Sequence, residues 1–114
     1  MRILFVDDDE ATRTVMADLL GDEGLEVEVC ATAETALEQL RTRAWDLLIT
    51  DYVMPGVTGI ELVQQCHALP GMAGFRCLVV SGAAPPDVIV GLTWIKKPID
   101  FDELLAVIRS RAQV

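Results

Sequence analysis

Two short apolar runs in this chain end in acid. Ile3-Leu4-Phe5-Val6 leads straight into Asp7-Asp8-Asp9, and Leu47-Leu48-Ile49 leads into Thr50-Asp51. Runs of this kind, with no polar alternation, read as strands buried on both faces, the pattern of a parallel sheet covered by helices. An acid at the end of such a strand sits where the core stops, and buried charge is tolerated only when paired or bound to a metal. If the two strands are neighbours, their carboxylates converge at one end of the sheet and repel. A divalent cation removes that repulsion, and the ammonium of Lys97 can share the work. The chain therefore reads as built to hold a hard cation beside a reactive aspartate.

The rest of the sequence supplies the layers. Residues 2–6 form the first strand, and Ala11, Val15, Met16, Leu19 and Leu20 give residues 11–23 an apolar helical face that closes near Gly21 and Gly24. Leu25 to Cys30 alternate apolar and acidic, which predicts a strand with one face toward water. Thr32 is placed to cap a second helix with Ala33, Ala36, Leu37 and Leu40 on its inner face. Trp45 leads into the strand at 46–50. Met54-Pro55-Gly56 signals a turn, after which Thr58 and Glu61 make a capping box for a helix with Ile60, Leu62, Val63 and Cys66 facing inward. Residues 69–74 read as a loop, Cys77-Leu78-Val79-Val80 as a buried strand ending at Ser81, and Thr93-Trp94-Ile95 as a short fifth strand. Asp100 and Glu103 then open a last helix that buries Leu104, Leu105, Val107 and Ile108.

Strand–helix alternation with right-handed crossovers leaves few topologies. The expected fold is α/β: a flavodoxin-like, doubly wound, five-stranded parallel sheet in the order 2-1-3-4-5, forming a single domain over residues 1–114. In that order the first and third strands are adjacent, and Asp7, Asp8, Asp51, Ser81 and Lys97 all fall at their shared carboxyl edge. One connection is too short. Eleven residues, Gly82 to Leu92, separate Ser81 from Thr93, and Gly82, Pro85, Pro86 and Gly91 lie among them. The helix before the fifth strand is therefore expected to be missing, or reduced to about one turn at Asp87–Val90.

Charge and composition exclude several functions. A net charge of −9 and a pI near 4.3 argue against a nucleic-acid partner, whose phosphates demand Lys and Arg. No apolar stretch approaches the ~20 residues that span a bilayer, and a cytoplasmic location is the expectation. Cys30, Cys66 and Cys77 are odd in number and lack CxxC pairing, so they read as small buried hydrophobes in a reducing compartment. His67 reads as a solvated helix-end residue. No GxGxxG or P-loop pattern is present, so nucleotide binding has no support.

Taken together, Ile3-Leu4-Phe5-Val6-Asp7-Asp8-Asp9, Asp51-Tyr52-Val53-Met54-Pro55-Gly56 with Gly59 following, Val80-Ser81-Gly82 and Lys97-Pro98 resemble the receiver domain of two-component response regulators, the CheY-like superfamily, across essentially the whole chain. The resemblance implies a phospho-accepting switch rather than an enzyme, with Asp51 as acceptor. It implies that Asp8, Asp51 and the backbone carbonyl of Val53 ligate Mg2+, with Asp7 held through water. It further implies that Ser81 and Lys97 contact the phosphoryl group, that Trp94 is the switch aromatic, and that the Lys97–Pro98 peptide is cis. A histidine kinase or histidine phosphotransfer protein is the implied donor, a protein is the implied downstream target, and a monomer or weak dimer is expected.

The chain departs from the family pattern at several points. The Ser81–Lys97 stretch is short, Trp94 stands where tyrosine or phenylalanine is usual, and Lys96 offers a second lysine beside Lys97. Val53 and Ala83 replace polar side chains that many relatives carry near the site. Two other functions compete. Asp7-Asp8-Asp9 contains the D-x-D of haloacid-dehalogenase-type phosphatases, but that motif's hydroxyl position is Ala11 and these 114 residues lack room for a substrate-recognising cap. A phosphorylation-independent interaction module of the same fold is the other, and the intact Asp8, Asp51, Ser81 and Lys97 argue against it. Asp9 and Glu10 are explained by helix capping alone.

Overall fold

The computed structural model describes residues 1–83 and 90–110. In chain order these form β1 (Arg2–Val6), α1 (Glu10–Asp22), β2 (Glu26–Cys30), α2 (Ala33–Thr42), β3 (Leu47–Asp51), α3 (Gly59–His67), β4 (Cys77–Ser81), β5 (Leu92–Lys96) and α4 (Phe101–Arg109). All strand pairs are parallel, and the sheet order is β2-β1-β3-β4-β5. This is the doubly wound, flavodoxin-like topology that the strand–helix alternation predicts. The expected one-turn remnant at Asp87–Val90 falls largely on residues 84–89, which lie outside the described residues. Among the described residues there are four helices, and none between β4 and β5.

The unbroken apolar strands have a direct structural cause. In β1, Ile3 and Phe5 pack toward α1 and α4, while Leu4 and Val6 pack toward α2 and α3. In β3, Leu47 and Ile49 take the first face and Leu48 the second; in β4, Leu78 and Val80 take the first and Cys77 and Val79 the second. Both pleats are inside, so alternation has nothing to report. Each buried aliphatic side chain contributes roughly 1.5–3 kcal/mol relative to exposure.

Helix starts follow the local chemistry. Thr32 caps α2 through Thr35 N, Thr58 and Glu61 close a reciprocal capping box on α3, and Asp100 accepts from the amides of Asp102 and Glu103 on α4. Arg76 anchors the far end of α4, its guanidinium donating to the carbonyls of Ile108 and Val107.

Four details correct the sequence reading. On α1 only Met16 and Leu20 are buried, whereas Val15 and Leu19 are 53% and 38% exposed and Ala11 faces solvent. The helix meets the sheet along one narrow i, i+4 row, and the adjacent apolar row clears it. On β2, Val29 is exposed because this is the edge strand, with α1 reaching over only part of it. Val107 of α4 and Ile60 of α3 are half-buried rather than core. His67 is half-buried too, its Nε2 lying 2.8 Å from the Phe75 carbonyl, so that nitrogen carries the proton. The three cysteines are buried free thiols, and burial raises the Cys30 pKa to about 11.

Candidate functional site

The site lies at the carboxyl ends of the central strands, where the order β1-β3-β4 brings together residues far apart in sequence. Asp7 follows β1 directly, and its own amide donates to the Cys30 carbonyl (3.1 Å), which fixes the chain as it leaves the sheet. Asp51 is the last residue of β3, Ser81 the last of β4, and Lys97 the first residue after β5. The amide of Lys97 donates to the Ser81 carbonyl (2.8 Å), so β4 and β5 end in register.

Carboxylate oxygens of Asp7, Asp8 and Asp51 lie within 4.8 Å of one another. Lys97 Nζ is 2.9 Å from Asp51 Oδ1, with its side chain 44% exposed. Asp51 is 9% and Asp7 7% exposed; Asp8 is open to solvent. Burial raises the Asp7 pKa above the usual carboxylate value, against the amide of Asp9 that donates to its Oδ1 at 2.9 Å. The negative charge of Asp51 adds to that rise. Asp9 behaves oppositely. Its Oδ2 accepts from Thr12 Oγ1 (2.6 Å) and Thr12 N (2.9 Å), which lowers its pKa and makes it the α1 cap.

The clustered donors are all carboxylate oxygens, the set that suits a hard divalent cation. Around an ion at ~2.1 Å, octahedral oxygens stand roughly 3–4.2 Å apart, so the observed cluster needs only a small contraction. One lysine against three carboxylates leaves negative charge uncompensated, which a cation would meet. The residues fit the ion. A cavity of about 520 Å³ opens alongside, with Phe5, Val80, Pro98 and Ile99 as its apolar wall and Asp7, Asp51 and Lys97 as its polar one.

Around this centre, Ser81 Oγ is 4% exposed by residue and accepts the Ala83 amide at 3.0 Å. Trp94 Nε1 donates to the Ala83 carbonyl at 2.7 Å, and its ring sits 5.4 Å from that of Tyr52 in a tilted pair. The Val53 side chain is 71% exposed. The Lys97–Pro98 peptide is cis. One participant was missed in the sequence: Arg13, whose Nη1 donates to the Asp7 carbonyl at 2.9 Å. Its position four residues after Asp9, the cap of α1, is the signal that puts it on the helix face above the acids.

Comparison with known proteins points to one family. The family model for the response regulator receiver domain matches residues 3–109. The DNA-binding response regulator MtrA of Mycolicibacterium paratuberculosis is 31% identical over 96% of this chain, and the chain spans about half (50%) of that protein's length. The chemotaxis protein CheY of Pseudomonas aeruginosa is 37% identical over 79% of this chain and 73% of its own. Among solved structures, the receiver domain of the hybrid histidine kinase CckA superposes with a TM-score of 0.82 at 37% identity, covering 96% of each chain. The chemotaxis protein CheY4 of Vibrio cholerae gives 0.86 at 29% identity over 95% of each.

Proposed function

The chain belongs to the response-regulator receiver family, and from that premise we propose that it is a single receiver domain over residues 1–114 that accepts a phosphoryl group on Asp51 and thereby switches its binding to a protein target. The donor in this reading is a phosphohistidine on a histidine kinase or histidine phosphotransfer protein. A carboxylate oxygen of Asp51 attacks phosphorus in line, the bond from phosphorus to the donor imidazole breaks, and an acyl phosphate forms. Asp8, Asp51 and the Val53 carbonyl would hold Mg2+, with Asp7 contributing through water. Bound there, the ion neutralises charge that builds on the phosphoryl oxygens.

The chain's own groups do the rest. Lys97, already 2.9 Å from Asp51, transfers its ion pair to a phosphoryl oxygen as the Asp51 charge is consumed by the new bond. Ser81 Oγ accepts from the Ala83 amide, so its own hydroxyl proton is available to a phosphoryl oxygen. A shift of Ser81 toward that oxygen drags on Ala83, and Ala83 is tied to the Trp94 indole. This linked pair is the proposed route from the site to the surface, and any rotation of Trp94 has to break its bond to Ala83.

One observation carries the reading: an ammonium and a cluster of oxygen donors meet at a nearly buried aspartate. Incubation with Mg2+ and acetyl phosphate should add one phosphate, located by mass spectrometry on Asp51. Neither Asp51→Asn nor chelator-treated protein should label. Steady turnover of the phosphodonor without a labelled Asp51 would instead point to a phosphatase, and no reaction at all to a module that binds without phosphorylation.

A further inference from the structure

Gly59, the first residue of α3, occupies a place where no side chain fits. A Cβ built on it would stand 2.5 Å from the Asp51 carbonyl oxygen, 3.0 Å from Tyr52 Cα and 3.2 Å from the Asp51 carbonyl carbon. Its φ is outside the left-handed region, so space rather than backbone conformation demands glycine here. A glycine in a helix normally costs stability relative to alanine. At Gly59 the gain is close approach. Its amide donates to the Tyr52 carbonyl at 2.7 Å, and the helix lies directly on the Asp51–Tyr52 peptide.

That peptide is held from its other sides as well. Thr50 Oγ1 donates to the Asp51 carbonyl at 3.0 Å, and the Tyr52 amide donates to the Val80 carbonyl at 2.9 Å. The helix cannot easily retreat, because Leu62, Val63 and Cys66 are fully buried and its first turn is closed by the Thr58–Glu61 box. The neighbour with room to yield is the stretch running from Val53 into the Pro55-Gly56 turn, where Val53, Pro55 and Gly56 are exposed.

We propose that Gly59 is a positioning residue for the acceptor site: its missing side chain lets α3 clamp the Asp51–Val53 backbone in the one placement that aims both the Asp51 carboxylate and the Val53 carbonyl at the same ion. This rests on the reading of those two groups as Mg2+ ligands. Magnesium demands near-ideal octahedral geometry at ~2.0–2.1 Å, and a displacement of the size needed to admit a methyl group, close to 1 Å, costs on the order of 10²-fold where geometry is critical. Gly59→Ala should therefore weaken Mg2+ binding at least about tenfold.

The control lies at the opposite end of the sheet. Gly91, whose carbonyl accepts from Cys77 at the start of β4, also has no room: a Cβ there would be 2.4 Å from the Gly74 carbonyl oxygen. Gly91→Ala strains the fold without touching the acids. The experiment is thermal unfolding of wild type, Gly59→Ala and Gly91→Ala with and without Mg2+, since a ion bound only by the folded state raises the melting temperature. Sucrose in every sample brings a marginal variant into the folded range. Both variants should melt lower than wild type, Gly91→Ala should keep the full Mg2+-induced rise, and Gly59→Ala should lose most of it. Asp51 labelling by acetyl phosphate should slow in parallel. An undiminished Mg2+ rise in Gly59→Ala, or equal loss in both variants, overturns the positioning role. A wild type that shows no Mg2+ rise overturns the metal reading itself.

Discussion

The two ends of the sheet treat charge in opposite ways. At the amino end the arginines around Trp45 each have an acidic partner. Arg2 sits 3.6 Å from Glu26 and its amide donates to Asp46 Oδ2 at 2.7 Å, while Arg43 pairs with Glu28 at 2.7 Å. Both guanidinium groups also lie over the Trp45 ring, at 5.9 and 5.3 Å from its centroid, and the indole donates to the Gln39 carbonyl at 2.8 Å. At the carboxyl end, three carboxylates share one lysine. The first arrangement is complete without a ligand and stabilises the fold. The second is left incomplete, and in the proposed function that shortfall is what a cation and a phosphoryl group would meet.

The sharpest way to break this contrast is at Lys97. Lys97→Met should slow Asp51 labelling by about 10²-fold or more, the scale of losing one charge-stabilising donor, with little loss of melting temperature. A labelling rate equal to wild type would mean the ion pair is structural, like those at the other end. Trp45→Ala should do the reverse. Removing a large buried ring costs about 3–5 kcal/mol, measurable by urea unfolding, while the surviving folded protein labels normally.

Asp7→Asn tests the incomplete end directly. Because burial raises the Asp7 pKa, the folded state holds its proton more tightly than the unfolded chain, and Mg2+-free stability should fall as pH rises from the ordinary carboxylate value through the folded one. The amide should remove that slope and, near neutral pH, raise the melting temperature of the Mg2+-free protein, while shrinking the stabilisation that Mg2+ gives. A destabilised variant would show that Asp7 is already satisfied without a cation. The smallest expected effect is at Val53, whose exposed side chain offers water no hydrogen bond beside the acceptor. Val53→Asn should hasten loss of phosphate from Asp51 by a few-fold. An unchanged half-life of the acyl phosphate removes any role for this side chain.

Most of this architecture is legible in the order of residue types. The runs at 3–6, 47–49 and 77–80 announce strands with two covered faces, and Thr32, Thr58 and Asp100 announce helix starts, because caps and strand burial are local consequences of local chemistry. The acids, the hydroxyl and the lysine can be assigned to strand ends for the same reason. Val15, Leu19 and Val29 show where this fails: apolar type is local, but which of two adjacent rows meets the sheet depends on how a helix is set down, and whether a strand is an edge depends on its partners. His67 turned inward because the Phe75 carbonyl stood within its reach after the chain had doubled back.

The amino-acid order alone was enough to specify which chemical groups this protein brings to a site, since strand periodicity and the handedness of crossovers leave almost no freedom in where those groups end up. Distances were beyond it. That Arg13 ties down Asp7, and that Gly59 lets a helix rest on the Asp51–Tyr52 peptide, depend on how each helix is set against the strand end that precedes it. Steric contact acts over tenths of an ångström, and no one-dimensional pattern records it.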